Sequence, residues 1–152
     1  YFPEDIRLNK IATRCMKIAQ SGQYNFSRCM KRNETVAARM AETEFIDEAV
    51  HMIYLLNREY KPFYKWFHRR LKELPILGEE TYAMIGKIVK FSFDETYRKV
   101  EIIEKICANI ITEMKRQGVI EVIKSDFLLD YGPEIQASIK DEKLRNWSPW
   151  LD

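Results

Sequence analysis

The chain has 152 residues, 46% of them hydrophobic and 32% charged, with only 5 glycines and 5 prolines. That composition excludes disorder, needs no disulfide or metal to complete a core, and lacks the turn residues that an all-β chain requires. The formal net charge of +2 predicts no strong nucleic-acid binding and no attraction to an anionic membrane surface. The odd cysteine count (Cys15, Cys29, Cys107) without a Cys-x-x-Cys pair reads as reduced thiols in a cytoplasmic protein. Without a starting Met, the chain is expected to begin inside a longer protein.

Helix one opens at Pro3 with Glu4 and Asp5 in its first turn, where carboxylates complement the helix dipole. Leu8, Ile11, Ala12, Cys15, Ile18 and Ala19 recur at three- and four-residue steps and form one apolar face. Ser21-Gly22 is expected to interrupt it before a short helix carrying Tyr24, Phe26, Cys29 and Met30. Helix two runs from an Asn33 N-cap to about Leu56. One face gathers Phe45, Ile46, Ala49, Val50, Met52, Ile53 and Leu56; the other gathers Glu44, Asp47, Glu48, His51 and Arg58. Pro62 opens helix three, which continues to about Leu74 with Phe63, Trp66, Phe67, Leu71 and Leu74 turned inward. Helix four covers about Glu79 to Phe91. Asp94 caps helix five, in which Val100, Ile103, Cys107, Ile110 and Met114 keep a heptad-like spacing up to Gly118. Val119–Ile123 is the one strand-like run. A last helix pair follows between Phe127 and Leu144, bent at Gly132-Pro133, and the sequence leaves open whether the tail Trp147-Ser148-Pro149-Trp150 docks. The expected fold is all-α: an up-and-down bundle of four to five long helices with short ones added, forming a single domain over residues 1–152.

Three constellations can carry chemistry. In the first, Glu44, Asp47, Glu48 and His51 share a helix face, and Asp47 lies four residues before His51, within reach of the imidazole. Such a pair can act as a general base beside a cleft, although a pattern of this kind more often marks an ordinary solvated face with i,i+4 pairing. In the second, Lys61, Lys65, His68, Arg69 and Lys72 fall within about a third of a turn, beside Tyr60, Tyr64 and Trp66, and suit either a phosphate-bearing ligand or a plain solvated surface with aromatics buried behind it. The third is the polar run at 21–25, with Tyr24 and Asn25, followed by Arg28 and Arg32; a helix break of this kind is either a binding loop or a plain turn. No hydrolase triad, phosphate loop or zinc ligand set is present. The chain alone is therefore not expected to be an enzyme, to bind a metal or to hold a cofactor.

Three stretches carry a resemblance: Ser-Gly-Gln-Tyr-Asn at 21–25 with Arg28-Cys29 and Lys31-Arg32; Ala-Glu-Thr-Glu-Phe at 41–45 leading to Tyr-Leu-Leu-Asn-Arg-Glu-Tyr-Lys-Pro-Phe-Tyr-Lys-Trp at 54–66; and Ser-Asp-Phe-Leu-Leu-Asp at 125–130. Together they resemble a bacterial family in which a nucleotidyltransferase-like N-terminal domain precedes a helical domain of unknown function. The stretch Asn57–Trp66 is also similar, more distantly, to the helical C-terminal domain of kanamycin-nucleotidyltransferase-type enzymes. The resemblance implies a substrate-binding, non-catalytic helical half, partnered in cis by a nucleotidyltransferase-like domain that would bring Mg²⁺ and ATP or another nucleotide. It also implies that Glu44, Asp47 or Glu48 would supply a base and Lys65 a phosphate contact. The Gly-Ser turn and Asp-x-Asp pair of such enzymes are absent, and Glu42 and Glu44, about 200° apart on a helix, cannot share a metal. Two other functions remain open: an interaction or homodimerisation module, and a toxin-like ribonuclease of the related helical superfamily. The second needs an Arg shortly before a His, and Lys61 stands where that Arg would precede His68.

Overall fold

A computed structural model describes residues 3–152; Tyr1, on which the expectation of a preceding segment rests, lies outside the described residues. The fold is all-α, and no strand forms among the described residues. The helices are α1 (Glu4–Ile18), α2 (Phe26–Lys31), α3 (Thr35–Leu56), α4 (Tyr64–Leu71), α5 (Gly78–Lys90), α6 (Thr96–Arg116), α7 (Gly132–Ala137) and α8 (Glu142–Arg145). One core joins them: α1 packs on α3 and α7, α6 on α3 and α5, and α4 on α3 and α5. Among the described residues, no helix is long and apolar enough to cross a membrane.

At Ser21-Gly22 the chain departs from the expected interruption. The helix does not break there. It widens into a π-helical stretch, Ala19–Asn25, and passes directly into α2. The amide of Phe26 bonds back to the Ser21 carbonyl, the five-residue step of a π-helix. Gly22 is fully enclosed, its Cα backed by the ring of Phe45 on α3. Gln23 uses both ends of its amide: Nε2 donates to Glu104 Oε2 at 3.0 Å and to the Asp126 carbonyl at 2.8 Å, and Oε1 accepts from the Leu128 amide at 3.0 Å. The 21–25 run is thus a packing joint that ties α1 to α3, α6 and the loop before α7.

Other boundaries move for local reasons. Asn33 is left-handed (φ 56°), and it ends α2 rather than capping α3. Its amide bonds to the Met30 carbonyl at 3.1 Å and that of Glu34 to Cys29 at 2.9 Å, which is a Schellman stop. The same pattern closes α6 at Gly118 (φ 76°), where the amide of Val119 reaches the Met114 carbonyl at 2.9 Å. Helix α4 starts at Tyr64 rather than Pro62, and Phe63 and Trp66 are exposed rather than inward. Before α6, Ser92 and Glu95 form the capping box, in place of Asp94. Residues 119–123 take up no regular structure, and the expected last helix pair is a 3₁₀ turn (Leu128–Asp130) with the short α7 and α8.

Candidate functional site

The acidic face of α3 divides between two neighbours. Glu44, Asp47, Glu48 and His51 span about 100° of the helix circumference, with Asp47 and Glu48 at opposite edges. Asp47 turns toward the segment leading into α4, where Lys61 Nζ lies 2.8 Å from its Oδ1. Glu48 turns toward α1, where Arg14 Nε lies 2.5 Å from its Oε2. The expected Asp47–His51 pair does not form. Arg14 Nη1 donates instead to His51 Nδ1 at 2.9 Å, and it also bonds Asp152 Oδ2 at 2.8 Å. Because a guanidinium only donates, Nδ1 must hold its lone pair, so His51 is neutral with its proton on Nε2.

The electrostatics follow from this arrangement. Burial, with Arg14, Lys61 and Lys10 nearby, pushes His51 down to about 3 from its ordinary 6.5. Burial raises the Glu48 carboxyl against the pull of Arg14 and Lys17. Burial also acts to raise Asp152, but the hydrogen bond and charge of Arg14, with Lys10 and Lys17, outweigh it and hold that carboxyl below its ordinary range. A depressed imidazole means that, below about pH 6.5, the unfolded chain takes up a proton that the folded chain refuses. Stability supplied by neutral His51 is therefore complete above about pH 6.5 and is lost as pH falls toward 3. Urea unfolding should show about 2 kcal/mol less of this contribution at about pH 5 than at about pH 7. The variant H51Q, whose amide oxygen can still accept from Arg14, should lose that part of the slope; an unchanged slope would refute the assignment.

Glu44 and Asp47 face a groove of about 770 Å³ between α3 and α4. Met40, Ile46, Tyr64 and Phe67 supply its apolar surface, and Arg39, Thr43, Glu44 and Asp47 its polar one. Glu44 is exposed, whereas the other three members of the stripe are half-buried. The acidic and basic faces meet at the Asp47–Lys61 contact, and Lys61 also lies 5.5 Å from the Phe67 ring centre.

The remaining basic candidates are dispersed. Lys65 and Arg69 flank the exposed Trp66, at 6.0 Å and 5.9 Å from a ring centre. His68 turns away and stacks on Tyr82 of α5, with centroids 4.4 Å apart and planes 13° from parallel. Lys72 approaches the same Tyr82 ring at 5.5 Å. On the π-stretch and α2, Arg28 covers the Tyr24 ring at 4.7 Å; both are exposed, as is Arg32, and Asn25 is half-buried at the joint. None of Tyr24, Asn25, Arg28, Arg32, Lys65, His68 or Arg69 lines the groove.

Buried charges such as Arg14 and Lys99 are missed by a reading of apolar stripes, although the sequence does carry a signal for them. Arg14 (3% exposed) sits in register with Ile11 and Ile18 on the apolar stripe of α1. Lys99 (0% exposed) likewise precedes Ile103, Ile106 and Ile110 on α6, and it bonds Glu42 of α3 at 2.5 Å. A charge at a core position of a helical stripe implies a buried partner. Among the described residues, no three His, Cys, Asp or Glu side chains are grouped so as to hold a metal ion.

Residues 1–67 match a family described as a domain of unknown function (DUF4037). The matched stretch runs from α1 into the first residues of α4 and so contains the α3 wall of the groove, Arg14 and the acidic stripe. No curated protein matches the chain, and no solved structure does.

Proposed function

We propose that this chain is the substrate-binding helical half of a nucleotidyltransferase-like protein and that the α3–α4 groove forms its side of the cleft. The observation that supports this reading most is the groove itself. Its volume of about 770 Å³ lies in the range of small-molecule sites, and a mainly apolar lining with a few polar groups is how such sites are built. Among the four base candidates, Glu44 fits best. Asp47 is held by Lys61 and Glu48 by Arg14, and the Nδ1 of His51 is already occupied. Tyr64, 70% exposed at the groove edge, offers a stacking face. In this reading Mg²⁺ and the nucleotide's phosphates belong to a partner domain in cis, which the groove would face. Nucleotide binding by this chain alone would therefore be weak.

Titration with Mg·ATP followed by amide NMR shifts is the test. Shifts should gather on Thr43, Glu44, Asp47, Tyr64 and Phe67. Y64A should weaken binding ~10-fold, the loss of one base–aromatic stack. Shifts confined to the outer basic side of α4, around Lys65 and Arg69, would sink the groove assignment.

A second reading, a protein-interaction or homodimerisation module, is favoured by one specific feature. Val36, Met40, Phe63 and Tyr64 are all more than half exposed along the first half of α3 and the start of α4, an unusual density of bare apolar groups. Light scattering across a concentration series distinguishes it, since a monomer at every concentration removes the dimer. The ribonuclease reading gains nothing from His68, which is stacked against Tyr82.

A further inference from the structure

Residues 148–152 cross α1 and lay Asp152 over a cluster of charged side chains. Asn9 Nδ2 and Thr13 Oγ1 each donate to the Leu151 carbonyl at 3.0 Å. Arg14 Nη1 and Lys10 Nζ hold the Asp152 carboxylate at 2.8 Å and 3.5 Å. The tail is therefore docked, but in an unusual way. Within the segment Leu151 remains 60% exposed and Pro149 and Trp150 are half-buried, so none of its side chains belongs to the core. Such a segment can detach without opening the core.

Without it, the cluster beneath would be left with excess positive charge. Arg14, 3% exposed, has Glu48 as its other carboxylate partner among the described residues, while Lys10 and Lys17 both act on the same spot. With the Asp152 carboxylate removed, three cations face one anion. The neutral His51 accepts from the same Arg14 nitrogen and holds the guanidinium in place beneath Asp152. Arginine in a fixed fork beside lysine is how proteins bind planar or tetrahedral oxyanions.

We propose that Arg14 and Lys10 form an oxyanion-binding site on α1, and that residues 148–152 are a strap whose Asp152 carboxylate fills it in place of an external carboxylate or phosphate. The strap competes as a tethered ligand, at an effective concentration in the ~mM range typical of short tethers. An external oxyanion gains access when the strap is displaced. The site does not depend on the groove: none of Lys10, Arg14, Glu48 or His51 lines it, so groove binding can fail while this site stands.

The test is thermal unfolding of wild type and D152A in inorganic phosphate, in acetate and in sodium chloride, all at equal ionic strength. In D152A, phosphate at about ten times its dissociation constant should raise Tm by ~3 °C above the chloride value, whereas wild type moves far less. The double variant K10A/D152A should lose most of that gain. A greater response to phosphate than to acetate assigns a phosphate-bearing ligand; equal responses assign a carboxylate. If D152A folds poorly, D152N keeps the shape and removes only the charge. A response no larger in D152A and D152N than in wild type overturns the proposal. So does a gain that survives loss of Lys10, which would place the anion elsewhere.

Discussion

Gly22→Ala should destabilise the protein by about 3 kcal/mol even though alanine is the better helix former. A Cβ at this position would lie 2.2 Å from Phe45 Cδ1 and within 2.9 Å of two further ring atoms. Phe45 is 0% exposed, so its ring has no free space into which to swing, and the backbone of the π-stretch must shift instead. That shift would pull on Gln23, which anchors the loop before α7 through two hydrogen bonds and α6 through a third. Gly86, inside α5, is the matched control, because a Cβ there would meet no atom within 4 Å. At that position the same change should stabilise by about 0.5–1 kcal/mol, the ordinary helix preference for alanine over glycine. Chemical denaturation of both variants separates steric from propensity effects. A stable G22A would mean that the contact between the π-stretch and α3 is loose, and F45L should partly rescue G22A if the clash is the cause.

The same position shows where the fold is legible in the sequence and where it is not. Long apolar stripes can be read directly. Ile103, Cys107, Ile110 and Met114 of α6, and Phe45, Ala49, Val50, Met52, Ile53 and Leu56 of α3, are all buried, as their spacing requires. Gly22 is harder, because a glycine after a serine signals a break only when nothing packs on it. Here close approach by a phenylalanine far along the chain turns the same residue into a joint. The acidic stripe does lie on one helix face, but local spacing cannot foresee its partners. Asp47 and His51 are neighbours at four residues, yet Lys61 and Arg14 are the groups that bond them in the folded chain. A surface pair of this type is worth only about 0.3–0.5 kcal/mol, so tertiary partners readily displace it. The groove is not legible at all: it is lined by Tyr64 and Phe67 from α4 against distant residues of α3, a pairing that no local spacing announces.

Lys99→Met should cost about 3 kcal/mol or more, and the double variant K99M/E42L should recover most of that loss. The ammonium of Lys99 is fully enclosed between α6 and α3. It bonds Glu42 at 2.5 Å and lies 4.5 Å from the centre of the Phe93 ring. Removing it leaves the Glu42 carboxylate, only 6% exposed, without its near cation, because Arg39 reaches Glu42 at no closer than 3.8 Å and is itself 59% exposed. An unpaired buried carboxylate typically costs about 3–5 kcal/mol, whereas replacing both members of a buried pair by apolar groups is often neutral or stabilising. The comparison therefore asks what the pair is for. If K99M/E42L matches wild type in stability, the ion pair adds little net energy, and its role is to fix how α6 seats on α3. Arg39 gives that seat a functional consequence. Its guanidinium lies 3.9 Å from the Phe93 ring centre, on the ring that Lys99 also approaches, and Arg39 forms one end of the α3–α4 groove. A double variant that folds normally but shows altered amide shifts at Arg39, Met40 and Thr43 would connect the buried pair to the shape of the groove. Unchanged shifts there would confine its role to the α3–α6 contact.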